Sequence, residues 1–124
     1  MPADPRQSLG KWGEDLACGE LCRLGYEILE RRYRTRYGEI DIVARDGPTT
    51  VFVEVKTRGG GSFGAGVEAI PPWRQQRIGR MALDYAARRR LLDTPCRIDV
   101  VAVSVAGGGA TIEVYRNAFD VGAA

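Results

Sequence analysis

Asp41, Glu54 and Lys56 stand within "GEIDIVARDGPTTVFVEVKTR", residues 38–58, a stretch that otherwise alternates apolar and polar residues as the two arms of a hairpin do. In its second half Val51, Val53 and Val55 share one parity and Phe52, Glu54 and Lys56 the other, so the acid and the lysine leave the same face of a strand. In the first half Ile40, Ile42 and Ala44 share a parity, with Glu39, Asp41 and Val43 opposite. The segment "RDGPTT" carries an Asp-Gly hairpin signal, and an even loop centred between Gly47 and Pro48 pairs residues whose numbers add to 95. That register sets Asp41 across from Glu54, with Cβ atoms about 4.5–5.5 Å apart. A centre one residue later sets Asp41 across from Lys56. Both registers gather all three side chains on one face, whereas an odd loop without a bulge turns Asp41 away.

Two carboxylates this close repel unless a cation lies between them, and one lysine does not neutralise both. Mg²⁺ or Mn²⁺ held by carboxylates, with water in its other positions, lowers the pKa of a bound water and neutralises a phosphate oxygen. A neighbouring ammonium can orient that water or stabilise the charge developing on phosphorus. Such a set is fitted to phosphodiester cleavage. A cross-strand salt bridge on a solvated face is the competing reading, and the trio alone leaves the two open. Glu14 is a fourth candidate, on a helical ridge with Ala17, Cys18 and Leu21 that would bring it against a sheet; an ordinary helix-surface acid is its alternative. Asp99, in "RIDVV", is either a further ligand or a structural acid at the start of a strand.

Composition narrows the chemistry. The chain has 124 residues and no histidine, which removes every imidazole-based nucleophile mechanism and the commonest zinc ligand. A hard, oxygen-loving cation is then the metal to expect. Cys18, Cys22 and Cys96 form neither an even disulfide set nor a C-x-x-C pair, and read as structural thiols in a reducing compartment. No apolar run approaches the roughly 20 residues that span a bilayer, and "MPADPRQSLGK" lacks the apolar centre of a secretory signal, so a cytoplasmic, membrane-free protein is expected.

A formal charge of +2 conceals an asymmetry: residues 31–98 hold 14 Lys+Arg against 7 Asp+Glu, while the flanks hold 4 against 9. A basic middle segment suits a polyanion partner, a solvated face being the alternative. Arg36, Arg58, Arg74, Arg77, Arg80 and Arg88, with Arg31, Arg32 and Arg34, are the candidate phosphate contacts.

The elements that must position these residues follow from periodicity. Leu9, Trp12, Leu16, Ala17, Leu21 and Leu24 recur at helical spacing, with Ser8 as the cap and Gly25 as the stop. "YEILERRYR" reads as a strand and makes, with the hairpin, a three-stranded antiparallel meander. The glycine-rich "GGGSFGAG" lacks the Gly-Lys-Ser/Thr of a phosphate-binding loop and is expected to edge the site. Pro72 opens a second helix, running to about Leu92, with an apolar stripe of Ile78, Met81, Ala82 and Tyr85. "CRIDVVAVSV" and "ATIEVYR" are two further strands. One domain over residues 8–119 is expected, with tails at 1–7 and 120–124.

"GKWGEDLA", "GEIDIVARD", "VFVEVKTR" and "RIDVVAV" together resemble the YraN family of small bacterial proteins, similar to Holliday-junction resolvases, over about Leu9 to Phe119. Asp41 followed by Glu54-Val55-Lys56 looks like the PD-(D/E)xK nuclease signature, with Ile40-Asp41 in place of Pro-Asp. The resemblance implies an α/β, restriction-endonuclease-like fold, a mixed central sheet flanked by helices in the order α-β-β-β-α-β-β. It implies Asp41, Glu54 and the Val55 carbonyl as ligands of Mg²⁺ or Mn²⁺, Lys56 as the catalytic lysine and Glu14 as the helix-borne acid. The activity implied is endonucleolytic cleavage of DNA, branched or single-stranded, in repair or recombination, by a monomer or a homodimer. A non-catalytic nucleic-acid-binding or scaffold protein on the same fold is the alternative.

Overall fold

The computed structural model describes residues 5–59 and 70–120, and side chains from Gly10 onward in the first helix. Seven elements follow one another: α1 (Pro5–Arg23), β1 (Glu27–Thr35), β2 (Gly38–Asp46), β3 (Thr49–Gly59), α2 (Pro72–Arg88), β4 (Cys96–Ala106) and β5 (Gly109–Phe119). The strands form one sheet in chain order, antiparallel except for β3 and β4, which run parallel and are joined through α2. The chain thus carries a mixed five-stranded sheet in the expected order α-β-β-β-α-β-β.

Each helix covers one face. Ala17 and Leu21 of α1 pack with Ile42, Ala44, Val51, Val53, Val101 and Val103. Ile78, Met81, Ala82 and Tyr85 of α2 pack on the other face with Val43, Phe52, Ile98 and Val100. The valine-rich runs of β3 and β4 are buried on both faces, as parallel strands between two layers of helix must be.

Several local expectations are corrected. α1 begins at Pro5, so Ser8 lies inside the helix rather than capping it. Trp12 and Leu24 are 42% and 36% exposed, and the buried ridge is Glu14, Ala17 and Leu21. Gly25 does end the helix, in the left-handed region at φ +95°, with the Tyr26 N–H donating back to the Leu21 carbonyl at 2.9 Å. α2 stops at Arg88, because Arg90 turns to φ +59° and Leu91 folds back to the Ala86 carbonyl. The β2–β3 connection is the two-residue turn Gly47-Pro48, with Gly47 at φ +58° and proline fixing the next φ as negative; that is the sign pattern of a type II′ turn. Residues 60–69, which hold all but the first residue of the glycine-rich segment, and the end tails 1–4 and 121–124 lie outside the described residues. The three cysteines are free thiols, Cys18 and Cys96 partly buried in the two cores. Among the described residues no helix is long and apolar enough to cross a membrane.

Candidate active site

By a count that adds to 95 at every pair, and that would bring Asp41 level with Glu54 one residue on, the β2–β3 ladder runs from Asp46↔Thr49 to Ile42↔Val53. There the regular ladder stops, and the Asp41 side chain takes up the next donor: the Val55 N–H donates to Asp41 Oδ2 at 2.7 Å. The carboxyls of Asp41 and Glu54 come within hydrogen-bonding reach of each other. Burial, then the Glu54 charge, push the Asp41 carboxyl up to about 8, the Val55 N–H acting the other way and the Glu14 charge adding a smaller push.

Asp41 also marks a place where two strands turn over. Ile40 and Ile42 would share a face in a regular strand, yet Ile40 packs in the α2 core and Ile42 in the α1 core. In β1, Tyr33 and Arg31, the partners of Ile40 and Ile42, change face with them. Arg32, opposite Asp41 by that register, has φ +54°, a left-handed conformation that costs a non-glycine residue free energy. The parity expected for Ile40 is therefore corrected. The consequence is chemical: from a rung where the faces exchange, Asp41 senses Glu54 on the α2 face and Glu14 on the α1 helix at once.

Glu54 is buried, and Arg74 in the first turn of α2 grips both its oxygens, Nε to Oε2 at 2.9 Å and Nη2 to Oε1 at 3.2 Å. That fork is the strong, planar form of a carboxylate pair. Lys56 follows two residues on, and the β3–β4 register is unbroken from Thr50 to Gly59, so Glu54, Lys56 and Arg58 leave the same face. Lys56 and Arg58 are partly buried, and neither has an acidic partner among the described residues. Glu14 is 7% exposed and is held by β1: Arg31 Nε donates to Oε1 at 3.0 Å and Arg32 Nε to Oε2 at 3.4 Å. Gly13 lets α1 come this close to β3, since a Cβ there would meet the Thr57 hydroxyl and methyl.

Oxygen donors from Asp41 and Glu54, with the Val55 carbonyl between Glu54 and Lys56 in sequence, suit a hard dication, and the strained charge of a buried carboxylate pair is what a dication would relieve. Among the described residues no set of three His, Cys, Asp or Glu gathers as metal ligands. A dication here would therefore rest on two carboxylates and complete its shell with water, as Mg²⁺ commonly does.

Of the arginines taken as phosphate contacts, Arg31, Arg32 and Arg74 serve the acids of this site. Arg34 and Arg88 pair with Glu39 and Asp84 at the surface. Arg36, Arg77 and Arg80 instead share a cleft with Tyr37 and Trp73. Those two aromatics have no place in the sequence-based site, although Trp73, Arg77 and Arg80 at helical spacing were the available signal. Asp99 is structural. Fully buried, it accepts from Tyr26 Oη at 2.8 Å, Arg97 Nε at 2.9 Å and the Asn117 N–H at 3.0 Å, across the β4–β5 bulge. Burial, with Asp99 accepting its proton, pushes the Tyr26 hydroxyl up to about 12.

A family model described as "Uncharacterised protein family UPF0102" matches residues 13–103, which take in Glu14, Asp41, Glu54 and Lys56. A UPF0102 protein of Syntrophotalea carbinolica is 50% identical over 116 residues, 94% of this chain and 94% of its own. Another, of Syntrophus aciditrophicus, is 47% identical over 112 residues, 90% of this chain and 88% of its own. Among solved structures, SfsA of Pyrococcus furiosus in complex with Ca²⁺ aligns with a TM-score of 0.41 and 16% identity, over 90% of this chain and 63% of that one. This chain thus spans less than two thirds of the length of SfsA. By the matched segment and by its relatives, the chain belongs to the UPF0102, or YraN, family.

Proposed function

We propose that this protein is a metal-dependent DNA endonuclease that hydrolyses phosphodiester bonds in branched or single-stranded DNA. The observation that carries the reading is the Asp41–Glu54 carboxylate pair on adjacent strands, with Lys56 leaving the same face of β3 as Glu54. Asp41, Glu54 and the Val55 carbonyl would hold Mg²⁺ or Mn²⁺. When bound, that ion supplies a Lewis acid for a phosphate oxygen and a water of lowered pKa. The chain's own residues do the rest. The Lys56 ammonium, without an acidic partner among the described residues, would donate to a phosphate oxygen. Arg74 fixes the Glu54 carboxylate in orientation. Glu14, fixed by Arg31 and Arg32, adds negative charge toward Asp41 and so favours a cation there. Cutting both strands of a junction would take two copies of this site, hence a homodimer or successive encounters.

Purified protein is expected to cleave labelled flap, fork or junction DNA with Mg²⁺ or Mn²⁺, and Asp41→Ala and Lys56→Ala to bring cleavage down to background. Equal cleavage by wild type and both variants would mean a contaminant and overturn the reading.

One observation favours a second reading, a DNA-binding protein without catalysis: Arg74 already occupies both oxygens of Glu54, and two arginines hold Glu14. Salt-sensitive DNA binding with no cleavage in any metal would establish it, since phosphate contacts need no metal.

A further inference from the structure

Beside the carboxylate pair lies an open cleft of about 340 Å³, made by the β1–β2 turn and the first half of α2, and lined by Arg36, Tyr37, Trp73, Gln76, Arg77 and Arg80. Its lining holds three cations, two aromatic rings, one amide and no acid. Among the described residues Arg36, Arg77 and Arg80 have no acidic partner, although Arg74 and Arg88 on the same helix do. The three are disposed around the rings instead. Arg36 lies 4.9 Å from the Tyr37 ring centre and donates to its hydroxyl at 2.7 Å, Arg80 lies 6.0 Å from the same ring, and Arg77 lies 5.2 Å from that of Trp73. Trp73 is 60% exposed, so most of its indole remains open to a ligand.

The cleft abuts the carboxylate site. A Cβ at Gly38, where the turn enters β2, would lie 3.8 Å from Arg77 Cδ and 3.9 Å from Arg74 Nη1, and Arg74 is the residue that grips Glu54. An all-positive lining calls for an anion, and an exposed ring flanked by guanidinium groups calls for a planar π-system beside it. A nucleotide offers both in one unit. The volume is at the small end of ligand pockets, suited to one nucleotide rather than to a duplex. In a duplex each base is stacked on its neighbours and its faces are closed to the indole, so only an unpaired base can enter.

We propose that this cleft receives an unpaired nucleobase of a DNA strand, stacked on Trp73 and held by Gln76, with the adjoining phosphates on Arg36, Arg77 and Arg80. The choice of DNA rests on the nuclease reading above. The cleft would make the protein select strands with unpaired nucleotides next to the Asp41–Glu54 pair.

The test is binding in EDTA, where no cleavage can occur. In a Trp12→Phe background Trp73 is the only indole of the chain, and its fluorescence is read against a single-stranded oligonucleotide, the same strand with abasic sites, and the blunt duplex. The base-bearing single strand is expected to quench Trp73, and the abasic strand and the duplex to leave it nearly unchanged. Trp73→Ala should weaken single-strand binding roughly tenfold, the usual effect of removing one stacking ring, with duplex binding unaltered and Trp73→Phe recovering most of the loss. Equal quenching by all three DNAs, or a Trp73→Ala loss shared by strand and duplex, would overturn the proposal. So would a nucleoside monophosphate that binds as tightly as the strand, since the cleft would then be a free-nucleotide site. Cleavage by wild type but not by Asp41→Ala, with Trp73 indifferent, removes the cleft and keeps the nuclease. Base-dependent quenching by a protein that never cleaves does the reverse.

Discussion

Burial and the neighbouring Glu54 push the Asp41 carboxyl up to about 8, from an ordinary value of 3.8, while the Val55 N–H pulls against them. The charged groups facing it are Glu54 and Glu14, with Arg74 beyond them. The sign follows from proton binding. Between those two values the folded protein keeps a proton that the unfolded chain has lost, so stability falls as pH rises through the window and the full cost is present above it. In the metal-free protein Asp41→Asn removes that ionisation, and its amide oxygen can still accept from the Val55 N–H. The variant is therefore expected to melt higher than wild type near pH 8, with the difference fading toward pH 4. At about 1.4 kcal/mol per unit the whole shift would be worth about 6 kcal/mol, and because Glu54 shares the titration, roughly 1–3 kcal/mol of gain is expected. Mn²⁺ should reverse the order by raising the melting temperature of wild type alone, which thermal scans with and without the ion would show. An Asn variant less stable than metal-free wild type at pH 8 would mean that Asp41 acts as a structural acceptor.

A shared face for Asp41 and Glu54 was legible because both even loops allow it; which of the two registers holds could not be counted from the sequence, and the two-residue turn Gly47-Pro48 selects the one whose pairs add to 95. What counting could not supply is the turnover at the Arg32–Asp41 rung, since nothing in "ERRYR" announces a left-handed residue. Gly13 shows the opposite case. A glycine amid a helical pattern is an available sign of close approach, and here α1 lies so near β3 that an added methyl would stand 2.8 Å from Thr57 Cγ2 and 2.9 Å from its Cβ. Gly13→Ala gains about 1 kcal/mol of helix propensity, while forcing a methyl into a filled contact costs about 1–3 kcal/mol. Because Thr57 is β-branched and stiff, it cannot rotate away, so the balance is expected to be a loss of about 1–2 kcal/mol and a melting temperature several degrees lower. Adding Thr57→Ala should restore stability to wild-type level or above. That non-additivity is the signature of direct contact; equal losses with and without Thr57 would place the effect elsewhere.

Charge counted along the chain and charge arranged in space tell different stories. The +7 of residues 31–98 is largely answered in the fold, because Glu14 and Asp15 from α1 pair with Arg31, Glu30 with Arg89, and Asp99 with Arg97. Sequence reading could find the excess of arginine but not which arginines remain available, since that depends on where α1 and α2 dock. Arg36, Arg77 and Arg80 have no acidic partner among the described residues and meet in one cleft, apart from Arg58 on β3, whereas Arg88, about four turns along the same helix from Trp73, keeps Asp84 at 3.1 Å. Salt dependence of single-strand binding separates the two kinds. Each phosphate contact adds about 0.7 to the slope of log affinity against log salt, so Arg77→Ala and Arg80→Ala should each flatten it by about that much and weaken binding at low salt. Arg88→Ala exchanges a charge that already has a counter-ion and should leave the slope where it was. If all three substitutions flattened the slope equally, DNA would be responding to the net field of the molecule rather than to this cleft, and the reading of Trp73 as a docking platform would lose its electrostatic half.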